Sequence, residues 1–174
     1  MICEAGLGKL QARPFYMDLT IRNVGPQDVP AVIELIREFA AFEDLTDFCE
    51  VTEERLGAAI FGEEAVAEGL IARDSGTPIG YAIYYPNFAS FRGQRGLYLE
   101  DIYINEKYRG QGVGEAMIRE VSRIGASRGF ERLDFLVLDW NTPALKFYER
   151  LGAVRDDDER HFKFTDRAFR TLVL

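Results

Sequence analysis

Histidine and cysteine are scarce in this 174-residue chain, which has one histidine, His161, and two cysteines, Cys3 and Cys49. That scarcity leaves no His/Cys cluster for a metal, so none is expected. Two cysteines close at most one bridge, and Cys3 lies in a stretch without periodicity. Two free thiols in a reducing cytoplasm are therefore the expectation. No apolar run approaches a membrane span, and no basic region followed by an apolar one marks a secretory signal. Positive charge is also in deficit: 21 Lys and Arg stand against 29 Asp and Glu, a net charge of −8. A nucleic-acid partner would want a basic face, so the balance argues against one and is compatible with a cationic substrate. Internal repeats and low-complexity linkers are lacking, so nothing divides the chain into several domains.

What is present suits one packed domain, with 47% hydrophobic residues. Residues 1–16 fit no periodic pattern and read as an extension outside the fold, leaving 17–174 as a single domain. Leu19 to Asn23 reads as a strand. Gly25-Pro26-Gln27-Asp28 reads as a helix start, followed by Val29, Val32, Ile33, Ile36 and Phe39 at helical spacing to about Ala41. A loop with Glu43, Asp44, Asp47 and Glu50 leads to a second helix from Thr52 to Gly62. Strands are expected at Gly69–Arg73, Pro78–Asn87 and Leu97–Ile104. A helix from Gly112 to Arg128 carries Val113, Met117, Val121 and Ile124 on one face. Leu133–Leu138 reads as an apolar strand buried on both faces. A helix over Asn141–Leu151 stops at Gly152. Two short strands near Ala153–Arg155 and Arg160–Phe164 flank the acidic run Asp156–Glu159, and a final helical turn or two begins at Asp166. Trp140 is expected to pack, and His161 to be a strand residue.

Between the fourth strand and the third helix lies Arg109-Gly110-Gln111-Gly112-Val113-Gly114. Strand, glycine-rich turn and helix start together present unpaired amides at a positive helix end, which is an anion site. A nucleotide triphosphate loop needs a Lys followed by Ser or Thr, absent here. A dinucleotide fingerprint needs a glycine where Glu115 stands, and normally opens its domain after the first strand.

Arg109-x-x-Gly112-x-Gly114 resembles the R/Q-x-x-G-x-G/A signature of the GNAT superfamily of N-acetyltransferases. Leu97-Tyr98-Leu99-Glu100-Asp101, Phe135-Leu136-Val137 with Trp140-Asn141, and Phe147-Tyr148 resemble its diamine (spermidine/spermine) branch, which includes thialysine acetyltransferases. The resemblance runs from about Leu19 to the C-terminus. It implies an α/β fold with a mixed sheet, acetyl-CoA lodged where two parallel strands splay apart, a small cationic amine as substrate and a homodimer. Backbone around Ile102, Tyr103 and Ile104 would meet the acetyl and pantetheine arm. The loop Arg109, Gly110, Gln111, Gly112, Val113 and Gly114 would hold the pyrophosphate.

Acetyl transfer to an amine needs a base for the ammonium proton, donors for the thioester oxygen and an acid for the thiolate. Tyr148 is the expected acid, where the resembled family keeps a tyrosine near the sulfur. Glu100 is the expected base or amine anchor. Strict alternation puts Asp101 on the face with Leu99 and Tyr103, so Asp101 is a second candidate. Asn141 resembles a family position that bonds the cofactor arm, and reads equally well as a helix cap. Phe42-Glu43 matches the family's aromatic–acid pair for amine recognition, with Phe where Tyr is common. Two other readings stay open: acetylation of a protein lysine or N-terminus, and a non-catalytic acyl-CoA-binding module.

Overall fold

The computed structural model describes residues 17–158 and 160–172; the 1–16 extension and Glu159 lie outside the described residues. The chain divides into two compact units, one ending at Leu136 and one beginning at Val137. The first holds a five-stranded sheet in the order β1 to β5: β1 Leu19–Asn23, β2 Glu68–Asp74, β3 Thr77–Ala89, β4 Gln94–Ile104 and β5 Arg132–Phe135. β1 to β4 run antiparallel and β5 lies parallel to β4.

Helices α1 (Val29–Phe42) and α2 (Glu53–Phe61) cover one face, where Val32, Ile33 and Leu56 pack on Ile71, Tyr81 and Tyr103. Helix α3 (Val113–Ser127) covers the other, with Val113, Met117 and Val121 on Leu70, Ala82, Leu97 and Leu99. The stripe expected on α3 is thus buried, whereas on α1 Val29, Val32 and Ile33 are buried, Ile36 and Phe39 are half-buried, and Leu35 joins the core from outside the expected stripe. Thr52 caps α2 by accepting from the Arg55 amide at 3.2 Å. At the start of α1, Asp28 is fully buried; it accepts from Arg22, from Arg73 at 2.8 Å and from the Gly25 amide at 2.8 Å, tying β1, β2 and the helix entry together.

The β3–β4 register pairs Ile83 with Asp101 but Tyr84 with Leu99, so Glu100 is an extra residue, a β-bulge. The bulge overturns the strict alternation expected here. Leu99 packs toward α3, whereas Tyr103 packs toward α1, and Ile102 and Ile104 join the α3 side. A second shift, at Ala72/Arg73, leaves Ile79 as the extra residue on β3.

The fifth strand is shorter than expected. It ends at Phe135 and is half-buried, while Leu136 and Leu138 are exposed. It is not buried on both faces because Asp134 occupies the face away from α3 in polar company, accepting from Asn87 at 2.7 Å and from Arg132.

The second unit contains α4 (Thr142–Arg150) and α5 (Asp166–Thr171). Ala153–Arg155 and Arg160–Phe164 form no strand among the described residues, and His161 therefore lies in none. Alternating apolar residues there have no neighbouring strand to pair with among the described residues, and Val154 and Phe162 are exposed. Trp140 is 55% exposed rather than packed away.

Candidate active site

The glycine-rich loop folds as an anion cradle. After a short helical turn at Glu106–Tyr108, Gly110 and Gly112 take φ of +71° and +86°, the left-handed region that side chains rarely enter. A Cβ placed on either would meet nothing within 4 Å, so open space lies before the loop. Gly112 is the N-cap of the fifteen-residue α3, whose first-turn amides at Val113 and Gly114 have no intrahelical acceptor. The Gln111 side-chain amide is turned back onto the Lys107 carbonyl at 2.9 Å. Beside the loop, β4–β5 pairing stops at Leu99↔Phe135, while β4 continues to Ile104. Glu100 to Ile104 therefore have no strand on that side among the described residues. Positive helix end, open glycines and a free strand edge fit a pyrophosphate followed by an amide-bearing arm.

On the α1 side of the sheet lies a cleft of about 310 Å³. Its apolar wall is Ile36, Phe39, Leu45, Phe48 and Val51, and its acids are Glu43, Glu50 and Asp101. Glu43 is the C-cap that follows α1, its amide donating to the Phe39 carbonyl at 3.0 Å, and burial raises its carboxyl pKa. Asp101 accepts from the Tyr81 hydroxyl at 3.3 Å. Burial, reinforced by the Glu100 carboxylate and opposed by the Tyr81 hydroxyl, pushes Asp101 up to about 6. Burial and then Asp101 push Tyr81 well above the ordinary tyrosine value.

The bulge separates the two neighbouring acids. Asp101 lines the cleft, whereas Glu100 is exposed and accepts from the Tyr85 hydroxyl at 3.3 Å. Tyr85 stacks on Tyr98, ring centroids 5.2 Å apart. Phe42, the last residue of α1, has the Arg109 guanidinium over its ring at 4.3 Å. Sequence reasoning did not single out Tyr81 or the Phe39–Phe48 wall. The signal for Tyr81 was its place, with Ile83, on the α1-facing side of β3.

In the second unit, Asn141 is the N-cap of α4, its side-chain oxygen accepting from the Ala144 amide at 3.2 Å. Tyr148 lies within α4, with the Phe147 ring edge-on at 5.0 Å, and burial raises it to about 12. Asp156, Asp157 and Asp158 form an exposed turn in which Asp156 accepts from the Asp158 amide at 3.1 Å.

A family model described as Acetyltransferase (GNAT) family matches residues 31–153. The chain is 36% identical to a thialysine N-epsilon-acetyltransferase of Bos taurus, over 88% of this chain and 96% of that one. It is 34% identical to a human spermidine/spermine N(1)-acetyltransferase-like protein 1, over 77% of this chain and 20% of that one. Among solved structures, an integron cassette protein from the mobile metagenome of V. cholerae superposes with a TM-score of 0.73 at 22% identity, over 90% of this chain and 98% of that one. With the family model covering most of the chain and a full-length relative above 30% identity, the protein belongs to the GNAT family of acetyltransferases.

Proposed function

We propose that the chain moves the acetyl group of acetyl-CoA directly to a primary amine of a small cation: a diamine, a polyamine or a lysine-like amino acid. The observation that carries this reading is the cleft beside the open end of β4, which combines an apolar wall with Glu43, Glu50 and Asp101. Methylene chains favour such a wall and ammonium groups such acids. The thialysine and spermidine/spermine relatives support the same substrate class.

Acetyl-CoA supplies an activated thioester carbonyl. Gly110, Gly112 and the first amides of α3 hold its pyrophosphate, and β4 amides near Ile102 to Ile104 receive the arm and the carbonyl oxygen. Asp101 takes the ammonium proton, through water where needed, and the freed amine attacks the carbonyl. Glu100 anchors the cation from outside the cleft. Tyr148, protonated throughout the neutral range, gives a proton to the departing thiolate and is restored, through water, by the second N–H proton that the attacking amine sheds; of the two protons the ammonium loses, one ends on the thiol and the other leaves Asp101 for solvent. The single domain from residue 17, a cytoplasmic setting and a homodimer belong to the same reading; exposed Val154, Phe162, Phe164 and Phe169 support the last.

An amine panel of spermidine, thialysine, lysine and mixed peptides, assayed with acetyl-CoA, tests the proposal. Turnover of the small amines is expected. Turnover confined to peptides would make the chain a protein acetyltransferase, and acetyl-CoA binding without any turnover would make it an acyl-CoA-binding module.

A further inference from the structure

Arg109 is the single cation of the Arg109–Gly114 loop, and an anion cradle would be expected to aim it at phosphate. Instead its guanidinium lies over the Phe42 ring at 4.3 Å and the Tyr103 ring at 5.4 Å, and its Nε donates to the Ile104 carbonyl at 2.9 Å. The same corner is tied further. The Tyr103 hydroxyl and the Asn105 amide both donate to Glu38 Oε2, at 3.3 and 2.8 Å, and the Phe39 and Tyr103 rings lie 5.5 Å apart. Phe42 is the last residue of α1, and Glu43, which follows it, lines the amine cleft.

We propose that Arg109 is a positioning residue for the amine side of the site: by clamping Phe42 it holds the end of α1, and with it Glu43, against the loop that takes the cofactor. This rests on the acetyl-CoA and amine reading above. Its consequence is coupling between the two substrates. A cofactor that orders the glycine-rich loop also stiffens the α1 end through Arg109, so the second substrate meets a wall already in place. The contact depends on a flat guanidinium with an Nε–H, which a lysine ammonium lacks. It also gives the phenylalanine at position 42 a use for its ring face.

Amide hydrogen exchange over residues 40–48 of the full chain, with and without saturating CoA, tests this in wild type, R109A, R109K and F42A. CoA should slow exchange there in the wild type. R109A and F42A should exchange roughly three- to tenfold faster without ligand and lose the CoA-induced slowing while CoA still binds, and R109K should not restore it. Equal slowing in R109A and wild type would overturn the proposal, as would unchanged ligand-free exchange. A kinetic arm uses any panel amine that is turned over. R109A should raise the amine KM by about threefold or more at saturating acetyl-CoA. An unchanged amine KM with a raised acetyl-CoA KM would make Arg109 a phosphate ligand only and overturn the proposal. If no amine is turned over, the functional reading falls, and the exchange arm still decides this one.

Discussion

Asp101 is the acid of the amine cleft whose carboxyl is pushed well above its ordinary value. Raised from 3.8 to about 6, first by burial, it is a carboxylate at neutral pH but a better proton acceptor than an exposed acid. As the proposed base it must be unprotonated to work. Activity should therefore rise with pH through about 6 and then flatten, and a kcat/KM profile of D101N should lack that limb. D101N should also lose about 10²-fold or more in kcat, with E100Q acting mainly on the amine KM. A kcat loss confined to E100Q would reverse the two roles. The stability sign runs opposite to function. The native protein holds this proton more tightly than the unfolded chain, so its stabilising contribution is present below pH 3.8 and falls as pH rises through about 6. D101N should accordingly melt a few degrees higher than wild type at pH 7, measured by calorimetry. Tyr148 follows a simpler logic. Its pKa of about 12 keeps the phenol protonated, and Y148F should lower kcat by about 10²-fold while sparing acetyl-CoA affinity. A change below about threefold would sink its role as the acid.

At the scale of elements, two junctions bear most of the consequence. Asp28 joins β1, β2 and the α1 entry, and the Arg22 guanidinium beside it holds its carboxyl far below the usual range. Its contribution is present above the unfolded value of about 4 and is lost as pH falls below it. D28N should cost about 3–5 kcal/mol in urea unfolding at pH 7, because it leaves Arg22 and partly buried Arg73 without their counter-charge. A loss under 1 kcal/mol would make the triad dispensable. These elements also define how far the sequence could be read. Val113, Met117, Val121 and Ile124 announced α3 because a helix stripe depends only on spacing, and they are buried. Thr52 and Gly112 announced helix starts through cap chemistry and glycine freedom. The Glu100 bulge was not legible, since one extra residue in a ladder leaves no mark on the residue types. It is this bulge that sends Asp101 into the cleft on the α1 side, the side that Tyr103 also faces, while Leu99 faces α3. The early end of β5 was hidden for a related reason. Phe135-Leu136-Val137-Leu138 is apolar enough for a buried strand, but the ladder with β4 stops at Phe135.

For the whole molecule, the second unit poses a question of partnership. Val154, Phe162, Phe164, Phe169 and Leu172 are exposed, Val154 at 95% and Phe162 at 87%. Apolar rings this open, clustered in one stretch of sequence, cost free energy in water and are commonly covered in an assembly. The segments at 153–155 and 160–164 carry β-type residues without a ladder partner among the described residues. A second copy of the chain could supply one, consistent with the homodimer proposed above. Sedimentation equilibrium should then give twice the 19.8 kDa of one chain at micromolar concentration. F162S/F164S should shift that mass toward the monomer and lower activity in parallel if the dimer supports the site. A wild-type mass of one chain, at every concentration up to ~100 µM, would remove the dimer. An unchanged dimer in the double variant would instead move the interface away from these two rings, leaving Val154, Phe169 and Leu172 as the next surface to alter.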